Sequence, residues 1–201
     1  MTKIKMCGIR RTEDISFANA LLPEYIGYVF AKKSKRYISP PDAAELTKLL
    51  DSRITPVGVF VNEPIENVVS TVNSGIVKIA QLHGSEDEEY ISRLHDRGIT
   101  VIKAFIVRSE EDIRAAESSS ADFILLDAGM GDGKAFDHKL LNGISRQYFL
   151  AGGLNPGNAA SAAELEPYCL DVSSGIETGG FKDFRKMTQF TEIVRRNNMK
   201  G

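Results

Sequence analysis

The chain is poor in the residues that build metal centres and disulfides. Its 201 residues include two cysteines, Cys7 and Cys169, and three histidines, His83, His95 and His138. The histidines are scattered without ligand spacing, which removes any sequence argument for a metal site. No apolar leader core stands at the N-terminus, which begins directly with a strand-like run, so the expectation is a cytoplasmic protein whose thiols stay free. Charge of one sign is also lacking: 25 basic residues face 27 acidic ones, a formal net charge of -2. That balance gives no electrostatic case for nucleic acid or an anionic membrane as partner. The longest apolar stretches are strand-sized and interrupted by charge, so no membrane span is expected. Linkers, low-complexity tracts and internal repeats are absent. What is present is 42% hydrophobic residues in a length that suits one substantial core, hence a single domain over 1–201.

Apolar β-type runs alternate with amphipathic helical stretches. The strand-like runs are Lys3 to Cys7, Tyr25 to Phe30, Thr55 to Val61, Val77 to His83, Thr100 to Val107, Phe123 to Asp127, Tyr148 to Ala151 and Cys169 to Ser173. Helix starts are marked by Thr12, by Ser39 with Asp42 and Pro40, by Asn62, by Ser85 with Glu88, by Ser109 with Asp112, and by Asn155-Pro156. A short helix is expected around Asp137 to Leu141 after the Gly129 to Gly133 loop, and a last helix over Asp183 to Arg196. Roughly eight strand-helix units with short connections favour parallel pairing and right-handed crossovers, and so a closed (β/α)8 barrel of the TIM type. An open doubly wound sheet is the competing architecture; it would bind ligand at a switch point between strands instead of at one common mouth.

In such a barrel the residues just after each strand form the active rim. Strand one delivers Cys7 and strand six delivers Asp127, a potential base and a potential acid about 120 residues apart in the chain. Cys7 admits two readings, a buried small apolar residue or a base whose use depends on its ionisation. Asp127 likewise either caps the following turn or supplies a proton. The second strand leads to Lys32-Lys33-Ser34-Lys35-Arg36, a solvated basic loop or a clamp for an anionic group, with Arg36 suited to bidentate carboxylate recognition. His83 ends strand four and either contacts a substrate or caps its loop. Strands seven and eight lead into Gly152-Gly153 and Ser174-Gly175. Each pair alone could be a tight turn, but both together, at the two strands where barrels commonly hold phosphate, suit an anion approached closely by backbone N–H groups. Cys169, inside an apolar run, reads as core.

Taken in order, Lys5-Met6-Cys7-Gly8-Ile9, Gly27 to Phe30 with Ser34-Lys35-Arg36, Gly58 to Asn62, Gln81-Leu82-His83-Gly84, Leu125-Leu126-Asp127, Leu150 to Pro156 and Asp171 to Glu177 resemble the phosphoribosylanthranilate isomerase family of tryptophan biosynthesis, nearly end to end. The resemblance implies a (β/α)8 barrel, monomeric or homodimeric, without metal or redox cofactor. It would act on a small phosphosugar, converting N-(5-phosphoribosyl)anthranilate to 1-(2-carboxyphenylamino)-1-deoxyribulose 5-phosphate by an Amadori rearrangement. It further implies Asp127 as general acid, Cys7 as general base, Arg36 at the anthranilate carboxylate, Asp171 near the ribose or bridging amine, and the backbone around Gly153, Ser174 and Gly175 at the phosphate. The chain departs from the family pattern in the Gly129 to Lys134 loop, in His138 after Asp137, and in Arg10 where threonine is common. Two other readings stay open: the histidine-pathway isomerase, whose two carboxylates the cysteine argues against, and a non-catalytic phosphosugar-binding barrel.

Overall fold

The structure, a computed structural model, describes residues 1–127, 141 and 144–199. The expected helix at Asp137 to Leu141 and the Gly129 to Gly133 loop fall, but for Leu141, outside the described residues. In chain order the elements are β1 (Lys3–Cys7), α1 (Thr12–Leu21), β2 (Tyr25–Val29), α2 (Pro40–Lys48), β3 (Thr55–Phe60), α3 (Ile65–Asn73), β4 (Ile79–Leu82), α4 (Glu88–His95), β5 (Thr100–Ile106), α5 (Glu110–Ser118), β6 (Phe123–Asp127), β7 (Tyr148–Ala151), α6 (Ala159–Ala163) and β8 (Cys169–Val172). A 3-10 turn at Ser174–Ile176, the hairpin β9 (Glu177–Thr178) and β10 (Phe181–Lys182), and α7 (Phe184–Asn198) complete it.

Each of β1 to β7 pairs in parallel with the next strand, and β8 returns to β1 with Lys5 opposite Asp171 and Met6 opposite Val172. The sheet is therefore a closed eight-stranded barrel, and the open-sheet alternative is excluded. Period-two alternation sorts the side chains. Ile4, Met6, Ile26, Tyr28, Leu126 and Leu170 point outward into the layer shared with the helices, while Tyr25, Val57, Ile102, Leu125, Phe149 and Cys169 fill the interior. The N-terminal end of the barrel is plugged by aromatic rings. Phe123 stacks on Tyr168 with centroids 5.2 Å apart, Phe149 meets Phe123 edge-on at 5.7 Å, and Lys3 Nζ donates to Tyr168 Oη at 2.6 Å. Apolar and aromatic packing there leaves the opposite, C-terminal end as the polar mouth.

Several helix starts lie elsewhere than the sequence suggests, and at α1 and α4 the reason is a better acceptor nearby. Arg11, not Thr12, caps α1, because the buried Asp14 carboxylate accepts from the backbone N–H groups of Arg10 and Arg11 at 3.0 and 3.2 Å and from Arg11 Nη2 at 2.7 Å. Asp87 caps α4 by accepting from Tyr90 N, while Glu88 reaches across to Ser120 and Ser85 donates to Asn62 Oδ1. Asn62, with φ of 51°, is thus a loop clasp, and α3 begins after Pro64. The Ala-rich helix starts after Asn158 instead of at Asn155-Pro156. The box at Ser109 with Asp112 forms as expected, while Ser39 caps α2 by accepting from Asp42 N and donates its own hydroxyl to Asp42 Oδ2 without the return bond to its backbone.

Replacing Asp14 with alanine leaves the half-buried N–H groups of Arg10 and Arg11 and the Arg11 guanidinium without their acceptor. The expected loss is about 2 kcal/mol, a fall of about 4 to 8 °C in Tm for a chain of this size, read by calorimetry.

Candidate active site

The mouth is organised along the seam between β1 and β8. Cys7 ends β1 on its inner face, and two residues earlier the same face carries Lys5, whose side chain has no solvent exposure. Lys5 Nζ donates to Asp171 Oδ2 at 2.7 Å, an ion pair buried on both sides. Asp171 Oδ1 is buried and has no hydrogen-bond partner among the described residues. Opposite Cys7 on β2 stands Gly27; a Cβ there would lie 2.7 Å from Cys7 Sγ and 3.2 Å from Lys5 Nζ, so only glycine lets thiol and ammonium crowd together. Burial pushes the Cys7 thiol up from its ordinary value, against the pull of Lys5, while Asp171 adds to the rise and Lys182 opposes it. Burial works against the charge on Lys5, but the Asp171 carboxylate and Cys7 more than offset it and hold the ammonium well above its usual range.

Across the mouth, Asp127 ends β6 beside His83, with Nε2 to Oδ2 at 3.4 Å. Asp127 is therefore not the isolated acid that the sequence suggests. Gln81, buried on the inner face of β4, places Nε2 at 3.4 Å from His83 Nδ1, and its Oε1 has no partner among the described residues. Asp171 joins the two sides: burial raises its carboxyl, Lys5 opposes this, His83 lowers it further and Asp127 raises it. Two buried acceptor atoms on inner-face residues of the barrel, Asp171 Oδ1 and Gln81 Oε1, are thus without a partner among the described residues, whereas buried polar atoms ordinarily have one.

The loops above this floor are tied together by charge. Lys32, Lys33 and Lys35 are solvated, but Arg36 turns inward across Gly8, where any Cβ would collide with its Cδ. Its Nε and Nη2 donate to Glu177 Oε1 and Oε2 at 2.7 and 2.8 Å, the fork geometry that carboxylates favour. Lys182, nearly fully buried, donates to Glu177 Oε1 at 2.7 Å and to the Ser173 carbonyl at 3.0 Å. Hydrogen bonds from Arg36 raise that guanidinium further above its usual value, and the same two cations pull Glu177 below the ordinary carboxylate range despite its burial. Arg10 spans this rim as well, donating to the carbonyls of Lys35 and Gly180.

The two glycine pairs lie side by side. Gly152 and Gly153 take φ of 97° and 61°, conformations that L side chains rarely adopt. Gly175 sits directly against the β7 loop; a Cβ on it would run into the Leu154 carbonyl. The N–H groups of Gly153, Ser174 and Gly175 have no acceptor in the hydrogen bonds of the described residues. Ser173 Oγ donates to the Cys7 carbonyl at 3.1 Å, fastening this corner to the end of β1. Cys7, Asp171, His83 and Asp127 thus gather at one end of the barrel, with the glycine corner and Arg36 above the β1 and β8 side. Sequence reasoning missed Lys5, Gln81, Glu177 and Lys182 as site residues. The signal for Lys5 was its spacing: two residues before Cys7, it shares the inward face, where a lysine is anomalous.

A family model for N-(5'-phosphoribosyl)anthranilate isomerase matches residues 4–193. The chain belongs to that isomerase family. A family member from Endomicrobium trichonymphae is 46% identical over 97% of this chain and 99% of its own length, and one from Thermoanaerobacter pseudethanolicus is 42% identical over 97% and 98%. Among solved structures, the isomerase from Thermotoga maritima superposes with a TM-score of 0.90 at 38% identity, covering 98% of this chain and all of that one. A family structure in complex with reduced 1-(o-carboxyphenylamino)-1-deoxyribulose 5-phosphate gives 0.88 at 37% identity with the same coverage. The barrel is the family's fold.

Gly175→Ala is expected to destabilise by about 1 to 3 kcal/mol because the Leu154 carbonyl must move. Gly157→Ala, whose Cβ would meet only Asn155 Oδ1 at 3.0 Å, is expected to cost less. Urea unfolding of the two variants in parallel checks the difference.

Proposed function

We propose that this mouth performs the Amadori rearrangement of N-(5'-phosphoribosyl)anthranilate to 1-(2-carboxyphenylamino)-1-deoxyribulose 5-phosphate in tryptophan biosynthesis, with Asp127 as general acid and Cys7 as general base. The observation that carries the assignment is the placement of Cys7 and Asp127 on inner faces at the ends of β1 and β6, with the Lys5–Asp171 pair between them in electrostatic reach of both. Protonated Asp127 gives its proton to the furanose ring oxygen; the C1–O bond breaks and a protonated imine forms to the bridging nitrogen. The imine acidifies the neighbouring C2–H, which the Cys7 thiolate removes to leave an enolamine. Return of a proton to C1 and loss of the one on the C2 hydroxyl yield the ketone, so the reaction consumes no external oxidant or reductant.

The remaining groups position the substrate. The phosphate lies on the N–H groups of Gly153, Ser174 and Gly175 beside Gly152, and fixed backbone dipoles there need no reorganisation as the reaction proceeds. Arg36 receives the anthranilate carboxylate: Glu177 holds its Nε and Nη2 and leaves the Nη1 edge for the ligand. Asp171 Oδ1 accepts from the bridging amine or a ribose hydroxyl, and His83 contacts the sugar beside Asp127. The chain acts as a single barrel domain in the cytoplasm, needing neither metal nor redox cofactor, as a monomer or homodimer. Among relatives, the Thermotoga maritima isomerase is described as dimeric and has been made monomeric. No described helix is long and apolar enough to cross a membrane.

Turnover is followed as loss of phosphoribosylanthranilate fluorescence. Cys7→Ala and Asp127→Ala are each expected to lower kcat by about 10² to 10⁴-fold with an unchanged melting curve. Tight binding without turnover by the unaltered protein would instead identify a phosphosugar-binding barrel. Burial raises the Cys7 thiol, so the thiolate is the minor form at neutral pH and grows as pH rises through the raised value. The wild-type profile also falls as Asp127 loses its proton, so the Cys7 limb is read in Asp127→Ala, whose residual kcat/KM is expected to climb with pH to beyond about 8.5, the ordinary thiol value. A fall in that variant from about pH 7 to about 8.5 would contradict a thiolate base.

A further inference from the structure

The reaction scheme leaves one buried charge unused. Lys5 is wholly buried, and of its three donor protons one goes to Asp171 Oδ2 at 2.7 Å. Cys7 Sγ is close to it as well: one carbon placed on Gly27 would touch both atoms, at 3.2 and 2.7 Å. As a plug for the β1–β8 seam the pair is a poor choice, because a well-packed apolar pair of similar volume is commonly as stable as a buried ion pair or more so. The thiol beside the ammonium, on the same inward face of the same strand, gives the charge a use.

We propose that Lys5 is a positioning residue for the Cys7 base: its ammonium stands against the sulfur and compensates the negative charge of the thiolate, while Asp171 keeps that ammonium in place. This rests on Cys7 being the base. The proton balance is simple. The proton from C2 of the sugar ends on Cys7 Sγ, and Lys5 keeps its own three protons throughout. The other charged groups around Cys7 are Asp171 on β8, which disfavours thiolate, Lys182 on β10, which favours it, and Arg36 before α2, which senses the same charge. Lys5 is the one bound to a carboxylate whose remaining oxygen has no partner among the described residues, so the ammonium also links the base to the atom proposed to face the substrate.

The test titrates Cys7 directly by its rate of alkylation with iodoacetamide against pH, resolved from Cys169 by mass spectrometry. Cys169 has no exposure, so its protection reports that the fold is intact. In Lys5→Met the Cys7 titration is expected to move up by at least about one pH unit, with kcat at neutral pH lowered at least about tenfold, partly recovered at higher pH, and KM little changed. Lys5→Arg, which keeps the charge, is expected to retain a titration closer to wild type. Should Lys5→Met lose Cys169 protection, the paired replacement Lys5→Met with Asp171→Leu removes the uncompensated carboxylate and is expected to fold; the titration is still expected to rise, since the ammonium acts on the thiol more strongly than the carboxylate does. A Cys7 titration unmoved in a folded variant, or a kcat loss that no increase in pH recovers, overturns the proposal. Activity surviving in Cys7→Ala would overturn the base assignment itself, and the alkylation titration, which needs no turnover, separates that failure from this one.

Discussion

Barrel closure sets Lys5 against Asp171, and the mouth is built around that contact. Because β8 pairs with β1, two charges from residues 5 and 171 meet at 2.7 Å in the interior, each removed from water. Desolvating both is unfavourable, and their attraction at this distance repays much of it only while both remain. The pair therefore acts as a fixed point. Cys7 takes its electrostatic environment from Lys5 on its own strand, and Asp171 carries that environment toward His83 and Asp127 on the far side. Gly27 is constrained by the same arrangement, since a side chain on β2 would displace the thiol and the ammonium together.

Packing and polarity are divided along the barrel axis. At the N-terminal end, Tyr25, Phe123, Phe149 and Tyr168 fill the interior with rings, and even Lys3 is absorbed there, its ammonium 4.2 Å from the Tyr168 centroid. At the other end the interior is left polar, with two buried acceptor atoms unmatched among the described residues. Loops hold the polar end in shape without filling it: Glu177 draws Arg36 and Lys182 to one point, and Ser173 binds the carbonyl of Cys7. An end stabilised by ring packing supports an end where ligand groups complete the hydrogen bonding.

The barrel was legible because its signal is periodic. Strand runs alternate with helical stripes, and the motif order from Lys5-Met6-Cys7 to Asp171–Glu177 carried the family resemblance that the relatives bear out. Helix starts were read less well, since a capping box seen in sequence competes with partners brought in from other loops: Asn62 Oδ1 accepts from Ser85 N, and Ser120 N donates to Glu88. Cys7, Asp127 and His83 were read as rim residues from strand ends and Asp171 from the family resemblance; the fold brings the four to one end of the barrel. Lys5 and Glu177 were not read as site residues, because each matters through a partner distant in sequence, Asp171 for Lys5 and Arg36 for Glu177; Gln81 and Lys182 pair locally, with His83 and Glu177, and carried no motif of their own. Only barrel closure and the hairpin after β8 make those pairs neighbours.

The central claim is that the substrate sugar lies between Cys7 and Asp127. A crystal structure of this chain with the reduced product analogue tests it most directly. The account predicts the phosphate on the amides of Gly153, Ser174 and Gly175, Cys7 Sγ on the C2 side of the sugar, and an Asp127 oxygen within about 3.2 Å of the C4 oxygen. An analogue bound with its phosphate on those amides but with Cys7 and Asp127 on the same side of the sugar chain, or with either out of reach of it, would contradict the assignment.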